Sequence, residues 1–188
     1  MSRSALRSFL MAAPKAEVHI HLEGAVSRGF LEERAALHRL PWVGHAADEL
    51  RRRLGAGSLE DFFQAFRWVL EGHFRTPGDY VAGLRDVATS LRQANIRYAE
   101  LSVSAGALLF FDRPLREILD ALTETADVLQ VGGGPEVRLV ADGVRQHGPA
   151  PLERVLRAVL ESSRAGEPRW VALGLAGVEA SRPAAQFA

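Results

Sequence analysis

The residues of this sequence that could do chemistry begin with a His-X-His pair close to the N-terminus. His19, His21 and Glu23 alternate with apolar residues, and this period of two predicts a β-strand. Residues two apart on a strand point to the same face, so both imidazoles would lie side by side. Neutral imidazole is a common zinc ligand, although a histidine on a strand can also have only a packing or surface role. A catalytic zinc ion normally has three protein ligands, so this pair could provide only part of such a site.

The elements that would position this pair alternate between strands and helices. The predicted strands cover residues 18–23, 96–103, 136–141 and 170–176. The predicted helices follow a short amphipathic helix in the first 13 residues and cover 27–40, 46–54, 58–72, 76–95, 114–131 and 151–164. No regular element is expected in 104–113, 142–148 or 181–188. Such alternation predicts a parallel sheet with right-handed crossovers, and both (β/α)8 barrels and doubly wound sheets place their sites at the carboxyl ends of its strands.

The composition argues against several classes of function. The 188 residues include 23 basic and 23 acidic side chains, and this balance gives no support for a nucleic-acid or membrane partner. The chain has no cysteine, which excludes disulfides, thiolate metal sites and the nucleobase deaminases that hold zinc with His and Cys. No segment is apolar for the roughly 18 residues of a membrane helix, and we expect a cytoplasmic protein. No Gly-X-Gly-X-X-Gly follows a predicted strand, which argues against a dinucleotide-binding sheet.

Four stretches of the sequence resemble the adenosine deaminase family, in the family's own order. The residues from Pro14 to Gly24 closely resemble its opening strand, and those from Ser58 to Phe66 resemble its apolar lid helix. Residues 95–101 are similar to its second strand and residues 171–179 to its fourth. The resemblance implies a (β/α)8-barrel hydrolase with a single zinc ion (Zn²⁺) in its site. Such an enzyme removes the 6-amino group of a small-molecule adenine nucleoside, as in the conversion of adenosine to inosine and ammonia.

The resemblance also implies roles for particular residues. His19 and His21 would be zinc ligands, and His21 would also contact the substrate. Glu23 would contact the sugar end of the substrate, and the backbone of Gly177 would contact its base. The apolar wall of the sugar subsite would consist of Leu59, Phe62 and Phe63. No catalytic residue is assigned within this chain, because the family's third His ligand, its acid Glu, a later His and the ligand Asp all follow the fourth strand.

The chain is expected to form a single, incomplete barrel domain over residues 1–188. Its four strands would belong to the N-terminal half, about four β/α units, of a TIM (β/α)8 barrel, an α/β fold that needs about 250 residues when complete. We therefore expect a fragment, a truncated gene product or half of a split protein, inactive as a deaminase by itself. A half-barrel that binds another chain without catalysis is the alternative from a different class of function.

Several residues depart from the family pattern and leave the substrate open. Glu23 stands where adenosine-specific members usually have Asp, and the Glu form is common in relatives that act on aminodeoxyfutalosine or adenine. Gly174 replaces a residue that is often polar or charged. A binuclear amidohydrolase is disfavoured, because the strand over 170–176 lacks the lysine that many of these enzymes carboxylate. Glu100 would be buried in a barrel and would need a partner, for which Arg145 is the candidate.

Overall fold

The fold consists of parallel strands connected by helices, and the computed structural model describes residues 2–55, 57–162 and 168–187. The strands are β1 (Lys15–His21), β2 (Ile96–Val103), β3 (Glu136–Val144) and β4 (Trp170–Ala176). The helices are α1 (Arg3–Ala12), α2 (Arg28–Leu37), α3 (Ala46–Leu54), α4 (Leu59–His73), α5 (Pro77–Gln93), α6 (Ala105–Phe110), α7 (Leu115–Val131) and α8 (Pro149–Ser162). None of these helices is long and apolar enough to cross a membrane within the described ranges.

Local sequence signals fix the starts of the longer helices. Ser58 caps α4 and Thr76 caps α5, and in each helix an aspartate three residues later bonds back to the capping residue. Ser27 caps α2 and is itself held by Asp86 of α5, which accepts bonds from the Ser27 backbone at 2.6 Å and from its hydroxyl at 2.7 Å. These caps explain why the helix starts could be predicted from sequence to within about two residues.

The strands form one parallel sheet in the order β1-β2-β3-β4, so each strand lies beside the next one in the chain. The register pairs His21 of β1 with Ser102 of β2, and Asp142 of β3 with Gly174 of β4. The carboxyl ends of these strands therefore meet at one edge of the sheet, which is the end where β/α barrels place their sites.

Burial is unequal across this sheet. The central strands β2 and β3 are largely enclosed, and Leu101, Val137 and Leu139 are fully buried in them. The outer strands are open, since Val18 of β1 is 61% exposed and Val171 of β4 is 46% exposed. The core therefore lies where the helices pack on the two central strands, and the outer strands keep apolar side chains in contact with solvent.

A buried cluster of charges joins α2 to α5. Asp79 is fully buried and accepts hydrogen bonds from the backbone N–H groups of Arg75 and Thr76, at 3.0 and 2.8 Å. The Arg34 guanidinium lies 3.2 Å from the same carboxylate, and Nε2 of His38 lies 3.0 Å from it. Burial alone would raise the pKa of Asp79, but hydrogen bonds outweigh burial and lower the pKa below its usual value; the largest contribution is from the Thr76 hydroxyl, which donates to Asp79 at 2.9 Å, followed by the Arg75 N–H and His38.

The sequence-based assignment is wrong in two loops and near the end of the chain. The predicted loop at 104–113 contains α6. Gly106 allows this short helix to pack closely on β3, since an added Cβ would lie 2.9 Å from Val144 N. The third strand continues to Val144, since β4 pairs with its last residues. The stretch 181–188, expected to have no element, contains the 3₁₀ turn Ala184–Phe187 and the last residue of another, Glu179–Ser181. The end of the predicted helix over 151–164 lies outside the described residues.

Candidate functional site

A cavity of about 460 Å³ opens at the carboxyl ends of the strands. Strand β1 contributes His19 and His21 to its wall, and the first turns of α4 contribute three phenylalanines. Asp142 enters from β3, and Gly177 closes the wall just after β4. The parallel sheet therefore brings residues from distant parts of the chain into one concave site, which is mostly apolar with a few polar groups.

The two histidines of β1 lie next to each other on the cavity wall. The centroids of the His19 and His21 rings are 5.5 Å apart, with 53° between their planes. The side chain of His21 is 41% exposed, which leaves its ring accessible from the cavity. Two accessible imidazoles on one wall are suited to bind one metal ion. Within the described residues, however, no three or more His, Asp or Glu side chains form a group that could hold a metal.

Asp142 is a buried carboxylate that the sequence reasoning did not select. Its Oδ2 lies 3.4 Å from Nδ1 of His21 and has no hydrogen-bond partner. Burial raises the pKa of Asp142, and the nearby His21, the Ser102 hydroxyl and His19 offset only part of this effect. The sequence places Asp142 directly after the predicted third strand, where barrel enzymes position site residues, but the prediction put it in the loop 142–148 instead of on the strand.

Glu23 was predicted to lie on the first strand, but β1 ends at His21 and Glu23 lies on the 3₁₀ turn Leu22–Gly24 that follows it, where it is 1% exposed. Its Oε1 accepts a hydrogen bond of 2.9 Å from the backbone N–H of Ser104, and its Oε2 has no partner. Ser104 lines the cavity, whereas Glu23, which was predicted to contact the substrate, is not among the lining residues. Burial raises the pKa of Glu23 to about 7, because desolvation outweighs the hydrogen bond from Ser104. At neutral pH this carboxyl group can therefore either donate or accept a hydrogen bond.

The aromatic wall comes from α4. Phe62, Phe63 and Phe66 all line the cavity, the rings of Phe62 and Phe66 stack at 5.9 Å, and Phe66 meets His21 edge-on at 6.4 Å. Leu59, which was predicted to belong to this wall, is 64% exposed and is not among the lining residues. The structure therefore places Phe62 and Phe63 together with the histidines and adds Phe66, one helical turn after Phe62.

Gly177 lies where the cavity meets a second cavity of about 360 Å³. Its φ of +100° is a backbone conformation that glycine adopts without strain. Phe110 and His147 line the second cavity, and their rings stack at 5.0 Å with 13° between their planes. The carboxyl end of β4 thus faces a continuous, largely aromatic surface.

The expected contact between Glu100 and Arg145 is not formed. The Glu100 carboxylate instead accepts a hydrogen bond of 2.7 Å from the hydroxyl of Tyr98, two residues away on the same strand. Arg145 donates to the backbone carbonyl of Arg182 at 3.0 Å and lies 4.0 Å from Glu179. The prediction is wrong because Glu100 is only partly buried and its need for a partner is met locally.

Comparison with protein families gives a match over nearly the whole chain. A family model described as adenosine deaminase matches residues 14–188. The chain is 27% identical over 182 residues to an aminodeoxyfutalosine deaminase of Streptomyces avermitilis, and this match covers 97% of the chain and 50% of the relative. It is 26% identical over 174 residues to an adenine deaminase of Agrobacterium fabrum, covering 93% of the chain and 51% of the relative. The chain thus spans about half the length of these curated relatives.

Solved structures show the same half-length relation. An amidohydrolase from Burkholderia ambifaria with bound Zn superimposes with a TM-score of 0.83 at 20% identity, over 100% of this chain and 50% of that one. An adenine deaminase from Arthrobacter aurescens gives a TM-score of 0.80 at 19% identity, over 94% of this chain and 52% of that one. These superpositions confirm the prediction that the fold is the N-terminal half of a TIM (β/α)8 barrel.

Proposed function

Because this chain belongs to the adenosine deaminase family, we propose that it forms the N-terminal half of a zinc-dependent deaminase that hydrolyses the amino group of an adenine compound. The observation that supports this best is the placement of His19 and His21 on one wall of an apolar cavity. The same cavity contains the aromatic residues of α4 and the glycine after β4. Metal ligands, an apolar wall and a backbone contact point are together what a hydrolase for a flat, aromatic base requires.

The donor atoms at this site fit zinc. His19 and His21 provide imidazole nitrogens, and the buried carboxylate of Asp142 beside them favours a cation. A zinc ion bound there would supply the Lewis acid that activates water for hydrolysis. Since the described residues offer only this pair of histidines, the remaining ligands would come from outside the described residues.

The other residues of the site would bind and orient the substrate. Phe62, Phe63 and Phe66 would pack against its apolar parts and exclude water. The backbone of Gly177 would contact the base without obstruction from a side chain. Glu23 lies behind the lining residue Ser104, so its contact with the sugar end of the substrate would require the carboxyl group to become exposed when the substrate binds. The chain alone would then bind part of the substrate without carrying out the reaction.

The substrate class we propose is adenine and its nucleosides, with aminodeoxyfutalosine and adenine as the first compounds to test and adenosine as the third. The curated relatives described above are named aminodeoxyfutalosine deaminase and adenine deaminase. The glutamate at position 23, in place of the aspartate usual in adenosine-specific members, supports the same choice.

A zinc titration tests the metal part of this proposal. The purified chain is expected to bind one zinc ion per molecule, as measured with a competing fluorescent chelator. His19→Ala and His21→Ala should each weaken binding by at least about tenfold, because each removes one of two ligands. His45→Ala, which removes an exposed histidine away from the cavity, is the matched control and should bind like the wild type. Equal zinc binding by all four proteins would refute a site at β1.

An activity assay tests the reaction itself. We expect no deamination of adenine, adenosine or aminodeoxyfutalosine by the zinc-loaded chain alone, measured as ammonia release. A fusion of this chain to the second half of the Streptomyces avermitilis relative should gain activity, and His21→Ala in the same fusion should abolish it. A folded, zinc-loaded fusion that is inactive on all three compounds would contradict a catalytic role.

A non-catalytic binding module is the second candidate, and the open strands favour it. Val18 on β1 and Val171 on β4 remain exposed, so the sheet offers apolar surface to another chain. Under this alternative the chain would form a defined complex in analytical ultracentrifugation, and the fusion would remain inactive. A monodisperse monomer, or an active fusion, would argue against it.

A further inference from the structure

The proposed function uses the buried carboxylate of Asp142 only as a negative charge near the metal, which does not explain its position beside one of the two histidines. Asp142 is 4% exposed and lies in the paired stretch of β3 and β4, opposite Gly174. A buried carboxylate costs free energy unless it is fully paired, and an apolar side chain of similar size would cost less. Its presence in the cavity wall therefore calls for a role.

The contacts of Asp142 point to one of the two histidines. Its Oδ2 lies 3.4 Å from Nδ1 of His21, and no hydrogen bond uses this oxygen. Ser102 of the neighbouring strand lines the same cavity, so the carboxylate lies between β2 and β4. Because His21 is 41% exposed at its side chain, a small ring rotation would shorten the contact to ordinary hydrogen-bond length.

The neighbouring strand makes room for this carboxylate. Gly174 of β4 is the register partner of Asp142, and a Cβ added at Gly174 would overlap Oδ1 of Asp142. The backbone of Gly174 has no positive φ that would itself require glycine. The absence of a side chain at this position is therefore explained by the space that the Asp142 carboxylate occupies.

The other buried acid at this end of the sheet does not share the arrangement. Glu23 directs its Oε1 to the backbone N–H of Ser104, at 2.9 Å. Asp142 is thus the acidic side chain, among the described residues, that forms an ion-pair contact with either His19 or His21.

We propose that Asp142 is a positioning residue, which accepts a hydrogen bond from Nδ1–H of His21 and so directs the Nε2 lone pair of that ring into the cavity. An imidazole can present only one unprotonated nitrogen when neutral, and the partner of the other nitrogen decides which one it is. A carboxylate at Nδ1 also makes the ring a stronger ligand. This inference rests on the proposed function, because His21 matters in this way only if it binds a metal.

Nitrogen-15 NMR of the histidine rings in the metal-free chain tests the positioning directly, at a pH where imidazole is neutral. We expect His21 to carry its proton on Nδ1 in the wild type. In Asp142→Asn it should shift toward the Nε2–H form that free imidazole prefers. Gly174→Ala keeps the carboxylate but displaces it, and should cause the same shift, so the test stands even if Asp142→Asn fails to fold. An Nε2–H form in the wild type, or a spectrum unchanged in both variants, would overturn the inference.

Zinc affinity supplies the second measurement. Loss of such a partner typically weakens metal binding by about 10- to 100-fold, and we expect a loss in this range for Asp142→Asn and Gly174→Ala. The controls are Glu179→Gln, an exposed carboxylate on the same rim, and Gly78→Ala, where an added Cβ meets only ordinary contacts. Unchanged affinity in both site variants would overturn the role toward the metal. If the wild type bound no zinc, the proposed function would fail, whereas the ring spectra would still decide the contact between Asp142 and His21.

Discussion

The buried acids between the helices and those at the carboxyl ends of the strands differ in their hydrogen bonding and in the direction of their pKa shifts. Asp79, between α2 and α5, has hydrogen-bond partners on every side, and its pKa is lowered. Glu23 and Asp142, at the carboxyl ends of the strands, each keep one oxygen without a hydrogen bond, and the pKa of each is raised. Buried acids that stabilise a fold have their hydrogen bonds satisfied within it, whereas acids that keep an unbonded oxygen at a cavity wall, as Asp142 does, or just behind it, as Glu23 does, are characteristic of a functional site.

Asp79 and Asp61 are the aspartates that bond back to the capping residues of α5 and α4, and replacing each of them should give the largest difference in stability loss between the two regions. Asp79→Asn should lower the free energy of unfolding by roughly 3–5 kcal/mol, because it removes the buried one of the two carboxylates that pair with Arg34 and leaves only the exposed Glu33. Asp61→Asn changes the equivalent residue of α4, which lies near solvent, and should cost no more than about 1 kcal/mol. Urea unfolding of both variants measures the difference. Similar losses would mean that the buried charge cluster adds nothing beyond an ordinary helix cap.

The raised pKa of Glu23 should appear as a pH dependence of stability in metal-free protein. In the unfolded chain this group titrates near 4.5, and in the folded chain near 7, so the folded state binds more protons in between. The wild type should therefore lose about 3 kcal/mol of unfolding free energy, relative to Glu23→Gln, as the pH rises from 4.5 to 7. Urea titrations of both proteins across this range provide the test. Parallel pH profiles would show that Glu23 titrates normally.

The parts of the molecule that could be predicted from sequence are those set by local signals, and the parts that could not depend on contacts between distant elements. Strand periodicity identified β1 with His19 and His21, and capping residues located the helix starts, since both signals are local. Helix α6 was not predicted because glycine is typical of loops, and the close packing of Gly106 on β3, which requires a residue without a side chain, is not visible in the local sequence. Asp142 was not placed on a strand because the end of β3 is set by its pairing with β4, and this pairing cannot be predicted from the local sequence.

The outer strands β1 and β4 have exposed apolar faces, and these faces could be covered in solution by another copy of the chain. Val137 in β3 is fully buried, whereas Val171 in β4 is 46% exposed, although both are valines in the same sheet. Both valine-to-alanine changes remove the same two methyl groups and the same β-branch, so the difference between them reports burial alone.

The smallest expected effect therefore comes from this pair. Val137→Ala should lower the free energy of unfolding by about 2 kcal/mol, because it removes buried methyl groups and leaves a cavity. Val171→Ala should cost less than about 1 kcal/mol, since nearly half of that side chain already contacts water. The measurement is urea unfolding at several protein concentrations. If Val171→Ala cost as much as Val137→Ala, and the cost grew with concentration, the face of β4 would be covered by another copy of the chain. The open sheet would then be an interface, and the contrast between central and outer strands would hold only for the single chain.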